Sequence, residues 1–139
     1  MQTFIGIVIA LIIFGVLVLI HEFGHFIVAV KNKVTVNEFS IGMGPRIYSH
    51  VAKSGTRYSL KLLPLGGSCA MLGEDEDSNE EGSFNSKSIW ARMAIVFAGP
   101  FFNFILAFVL ALIVIGAKGI DKSYVTYVDE KSPAYEAGL

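Results

Sequence analysis

Two long apolar stretches, with a polar stretch between them, set the organisation of the chain. Phe4 to Val30 is 27 residues long and carries Glu22 as its one charged side chain. As a helix it would rise about 40 Å, enough to cross a hydrocarbon core of about 30 Å with some tilt. Met1, Gln2 and Thr3 offer no basic flank, and the run is far longer than the apolar core of about 7–15 residues in a secretory signal peptide. It reads as a retained membrane helix. Ile95 to Ala117 adds 23 uncharged residues between Arg92 and Lys118, a second span by length and composition. Pro100 removes one backbone donor there and predicts a kink near the start of that helix.

Residues 31–94 are polar enough to be expected outside the hydrocarbon. Thr35 to Phe39 and Arg46 to Val51 have strand-like content, and Gly42-Met43-Gly44-Pro45 between them is turn chemistry. Tyr58 to Leu62 alternates apolar and polar side chains as a half-buried strand does, after a turn at Ser54-Gly55. Pro64, Gly66 and Gly67 are expected to break that strand. The prediction is a small β-meander or hairpin pair close to the membrane surface, with an irregular loop as the alternative. Glu74 to Glu81 holds six acidic residues in eight positions, which reads as a solvated linker. The D-x-D-x-D-G spacing of a Ca²⁺ loop is absent.

Beyond the second span, Val125 to Val128 is strand-like. Ser132 is an N-cap candidate, Pro133 suits the first helical position, and Gly138 suits a helix stop. A strand and one short helix have no core of their own, so this stretch reads as the opening of a further domain. The expected divisions are 1–30, 31–94, 95–117 and 118–139.

Composition agrees with a membrane protein: 53% of residues are hydrophobic and 17% charged, with a mean hydropathy of +0.59. A net charge of −1 gives no reason to expect a nucleic acid partner. Cys69 is the sole cysteine in the sequence, so no intrachain disulfide forms. Eight Lys and Arg residues, from Lys31 to Arg92, lie between the two spans, and none precedes the first. The positive-inside rule then places the loop in the cytoplasm and both termini outside. The lipid bilayer is the first partner this implies.

The candidate chemistry lies inside the first apolar run, at His21-Glu22-Phe23-Gly24-His25. On a helix His21 and His25 are i and i+4, so both imidazoles leave one face and reach a single Zn²⁺. Glu22 beside them could take a proton from activated water. A charged residue at the centre of a membrane helix costs roughly 2.5–3.5 kcal/mol on insertion scales, so these polar groups call for compensation. A metal would supply it; mutual hydrogen bonding with a neighbouring helix is the alternative. Haem ligation by both histidines is disfavoured, because i and i+4 side chains cannot take opposite faces of one porphyrin. In the second span Gly99, Asn103, Ala107 and Ala111 form a stripe at i+4 spacing. Asn103 either joins the two helices or, with Gly99 and Pro100, shapes a cavity around the histidines.

These motifs, in this order, resemble the site-2 protease class of intramembrane zinc metalloproteases, in its bacterial RseP-like branch. The resemblance rests on His21 to His25, Phe39 to Pro45, Leu63 to Gly67 with Leu72 to Glu74, Ala98 to Asn103, and Ser132 to Ala134 with Ala137 to Leu139. It implies a zinc metalloendopeptidase of the bacterial cytoplasmic membrane with an extracytoplasmic PDZ domain. The implied substrates are single-span membrane proteins, such as anti-sigma factors or signal-peptide remnants, cleaved in regulated intramembrane proteolysis. The β-rich loop would bind the unwound substrate as an added strand. The resemblance also implies a third ligand, an aspartate of an N-x-x-P-x-x-x-L-D-G motif on a later helix, which this chain lacks. Asp121 and Asp129 stand in the wrong context for it. The chain is therefore expected to be an N-terminal fragment, inactive alone. The expected fold is an α-helical membrane protein with two spans flanking a cytoplasmic β-rich loop and the start of a PDZ domain. The rivals are a non-catalytic membrane adaptor and, last, a metal-handling transporter.

Overall fold

The computed structural model describes residues 1–76, 78, 80–119, 127, 129 and 132–138. The elements run α1 (Gln2–Lys31), β1 (Val36–Val51), β2 (Arg57–Met71), α2 (Ile89–Lys118) and α3 (Pro133–Glu136). Residues 1–108 form one compact unit and 109–139 another. The strand-like stretch at 125–128 lies, apart from Tyr127, outside the described residues, as does half of the expected PDZ opening at 118–139.

Both long helices are apolar enough to cross a membrane, with mean hydropathies of 3.2 and 2.5 over their most apolar windows. α1 ends where Asn32 donates both its side-chain Nδ2, at 2.8 Å, and its backbone N–H, at 3.1 Å, to the Val28 carbonyl, closing the last turn of the helix. Lys33 then takes a left-handed φ of +57° and turns the chain toward β1. α2 begins six residues before its apolar run. The Ser88 hydroxyl accepts the Ala91 N–H at 3.3 Å, and this cap lets Trp90 and Arg92 join the first turn. The helix continues through Pro100 as far as Lys118. In the second unit, the Ser132 hydroxyl accepts the Tyr135 N–H at 3.3 Å, Pro133 opens α3, and Gly138 follows it at φ +82°.

α1 and α2 approach closely at small residues. A Cβ built on Gly24 would lie 2.5 Å from the Ala98 carbonyl oxygen, so no larger residue fits between the backbones. Around this crossing Ala29, Val34, Phe39, Cys69, Met71 and Ile95 form the buried cluster that joins helices to sheet.

The sheet departs from the expected break points. Gly42 to Pro45 lies within β1, and Pro64, Gly66 and Gly67 lie within β2. Gly42, Gly44 and Gly66 have φ of +87°, +85° and +80°, so the chain bends at these points while pairing resumes on either side. Each strand is thereby folded into two arms. Phe39 is opposite Cys69 on one side and Tyr58 on the other; Ser40 is likewise opposite Ser68 and Ser59. Residues 46–51 pair along the far side of the 57–61 arm. The two antiparallel strands therefore make a sheet four arms wide, edged by residues 46–51 and 67–71. Glu38 ties the arms together, accepting hydrogen bonds from Ser59 at 2.5 Å and Arg46 at 2.8 Å. The Ser59 hydroxyl is the main cause holding its carboxyl below the usual carboxylate range.

The sheet also packs against the apolar run, a contact the sequence reading did not foresee. The β2 bend reaches back along α1, where Pro64 and Leu65 share a small cavity with Val8, Leu11 and Ile12. A Cβ on Gly15 would meet the Pro64 carbonyl oxygen at 2.9 Å. Gly15 is six residues before His21, about 9 Å along the helix axis. Turn residues mark where a chain bends; they do not say toward what it bends.

Candidate metal centre

His21 and His25 leave the same face of α1, with ring centroids 4.8 Å apart and planes inclined at 74°. Each ring is held at Nδ1 by α2. His25 Nδ1 lies 2.7 Å from the Ile95 carbonyl oxygen. A carbonyl only accepts, so this nitrogen carries the proton and Nε2 is left with a free lone pair. His21 Nδ1 lies 3.3 Å from the Asn103 side-chain amide. The amide offers Nδ2 to this ring while its buried Oδ1 has no partner. A half-turn of the amide puts Oδ1 against His21 Nδ1–H and frees His21 Nε2 in turn. That is the orientation a metal at Nε2 selects.

The two Nε2 atoms converge over Gly99. A Cβ built there would stand 2.6 Å from His21 Nε2 and closer still to His25 Nε2. Zinc binds imidazole nitrogen at about 2.0–2.1 Å. The space over the missing Gly99 side chain is thus a cradle of the right size, bordered by two free nitrogen donors. Among the described residues no third His, Cys, Asp or Glu joins the pair as a metal-binding group.

Glu22 occupies the other side of His25. Its Cγ lies near the edge arm of β2, 3.5 Å from where a Gly67 Cβ would stand. Glu22, His25, Cys69 and Glu74 border one cavity. Burial pushes the Cys69 thiol up to about 12, helped by the negative charges of Glu22 and Glu74. The thiol is therefore neutral and acts as an apolar wall. On the far side His21 shares cavities with Pro100 and Asn103 and with Leu17 and Val18.

All the residues singled out in the sequence meet here: His21, Glu22 and His25 from α1, and Gly99, Pro100 and Asn103 from α2. The sequence reasoning missed the Ile95 carbonyl, Gly67, Cys69 and Glu74. A backbone carbonyl leaves no mark in a sequence. The other three carry a signal only once the β2 edge is known to lie beside Glu22.

The profile of Peptidase family M50 matches residues 9–135. The chain belongs to peptidase family M50. A candidate zinc metalloprotease of Clostridium acetobutylicum is 47% identical over 138 residues, which is 99% of this chain and 40% of that protein. One of Clostridium perfringens is 41% identical over 133 residues, 96% of this chain and 39% of that protein. One of Vibrio cholerae is 42% identical over 143 residues, 99% and 31% of the two chains. The chain thus spans well under half the length of these relatives. Family M50 is the site-2 protease family, whose enzymes use zinc. Membership agrees with the two apolar helices in making this a membrane protein.

Proposed function

We propose that this chain carries two of the zinc ligands and the general base of an intramembrane metalloprotease. The observation that carries the reading is the convergence of His21 and His25 Nε2 over Gly99, with both Nδ1 atoms engaged by α2 and Glu22 alongside. His21 and His25 would hold the ion, with the third ligand coming from an aspartate on a later helix. Bound there, Zn²⁺ supplies a Lewis acid that polarises a peptide carbonyl and lowers the pKa of water. Glu22 takes a proton from the attacking water and returns it to the leaving amine. Ile95 and Asn103 keep the two imidazoles in the ligating tautomer. The 67–71 edge of β2, beside Glu22, offers backbone groups to an extended substrate as an added strand.

The substrates proposed are single-span membrane proteins cut within the bilayer of the bacterial cytoplasmic membrane. The loop of residues 31–94 would lie on the cytoplasmic side, in a sequence of regulated cleavages. The test is Glu22→Gln in the full-length protein. Zinc content by mass spectrometry should stay at one ion per chain. Cleavage of a membrane substrate should fall by about 10²–10⁴-fold, the usual contribution of general acid–base catalysis. Normal cleavage by that variant would overturn the role of Glu22. Full-length protein that holds no zinc yet binds membrane clients would favour a non-catalytic adaptor.

A further inference from the structure

The cavity beside Glu22 and His25 has a volume of about 250 Å³. Cys69 and Met71 on the edge arm of β2, Phe84 on the connection to α2, and Ile95 and Val96 on α2 make up its apolar side, and Glu22, His25 and Glu74 its polar side. Cys69, Met71 and Ile95 are only 7%, 8% and 0% exposed, so the walls belong to the folded core. Glu22 and Glu74 bring two carboxyl groups to the polar side. Glu74 is fixed there by accepting the Met71 N–H at 3.3 Å.

Cys69 and Met71 are two apart on one strand and share a face. That face is turned toward the helices, since both side chains join the buried cluster with Ala29 and Ile95. A peptide laid along the 67–71 edge places every second side chain on the same face. One of those side chains would stand over the cavity while the adjoining backbone passes Glu22. Size then decides what fits. An engineered cavity of about 150 Å³ admits benzene, so this one has room for a full aliphatic side chain or a phenyl ring.

We propose that this cavity is a specificity subsite. It takes an apolar side chain from one of the two residues flanking the scissile bond, and Cys69 and Phe84 set its size. This rests on the proteolytic reading above. A methylene more or less in an apolar pocket changes specificity by about 10–200-fold, so the subsite selects leucine-sized residues over alanine.

The test uses full-length protein in detergent and membrane-spanning peptides that carry Ala, Leu or Phe at the two flanking positions. At one of these positions the wild type should prefer Leu to Ala by at least tenfold in kcat/KM. Cys69→Phe should lower the Leu value at least tenfold and change the Ala value less than twofold. Phe84→Ala should act in the opposite direction and raise Phe relative to Leu, a pattern that misfolding does not produce. A common loss on every peptide, or an unchanged preference in both variants, would overturn the subsite. Independently of turnover, the Glu22→Gln variant is irradiated with peptides bearing photoleucine at successive positions. Labelling of residues 67–71 or Phe84 should come from one flanking position alone. Equal labelling from all positions overturns the proposal. Wild type that cleaves nothing, with position-specific labelling retained, would remove the proteolytic reading and uphold the pocket as a site for an apolar side chain. Cleavage with neither labelling nor a shifted preference would remove the pocket alone.

Discussion

Gly99 and Asn103 decide whether two histidines on α1 become a metal site. The absent side chain of Gly99 is the space the ion needs, and a methyl group would lie 2.6 Å from His21 Nε2. In a helix interior Ala is favoured over Gly by about 0.8–1.0 kcal/mol, so the metal-free Gly99→Ala variant should fold. It should bind zinc at least tenfold more weakly, as measured by competition with a chromophoric chelator. Undiminished affinity would place the ion elsewhere. Asn103 acts through His21, 3.3 Å away. Asn103→Leu removes the partner that fixes the imidazole, and such outer partners are typically worth about 10–100-fold in metal affinity. A loss in that range at unchanged thermal stability marks a positioning role; a fall in stability with no loss of zinc would mark a merely structural one.

At the level of elements, the helix crossing and the folded strands both depend on glycine, for different reasons. Gly42 and Gly44 sit at left-handed φ, which glycine adopts at no steric cost. Gly24 is instead a matter of distance, because its added Cβ would stand 2.5 Å from the Ala98 carbonyl oxygen. Two effects oppose each other in Gly24→Ala. Helix propensity favours alanine by about 1 kcal/mol, while overpacking costs about 1–3 kcal/mol. The clash is with a main-chain atom that cannot move alone, so overpacking wins. The variant should unfold at a lower temperature in detergent, and an unchanged or higher midpoint would show that the two helices do not approach here.

For the whole molecule, the sheet reaches back along the apolar helix. Backbone inside hydrocarbon must have its hydrogen bonds satisfied, and the ladder between the arms pairs the backbone on either side of the β2 bend. Pro64 and Leu65 lie against Val8, Leu11 and Ile12, while Lys53 is exposed at the turn between β1 and β2. With Cys69 replaced by serine, Leu65→Cys should react with a membrane-impermeant maleimide at least tenfold more slowly than Lys53→Cys in opened membranes. Equal rates would put the bend in water.

The sequence by itself determined what is local. Uninterrupted apolar runs specify α1 and α2, because in lipid a helix satisfies its own backbone. The spacing of His21 and His25 specifies a shared face, and Ser132-Pro133 specifies the start of α3. What joins distant segments was decided by tertiary structure. Glycine and proline signal a bend whether the chain leaves the sheet or folds back into it, so 42–45 and 64–67 read as breaks. The reach of β2 along α1, the Ile95 carbonyl at His25, and the cavity between Cys69 and Ile95 all join residues far apart in the chain. Such contacts follow from mutual burial across the whole unit, and no window of neighbouring residues contains them.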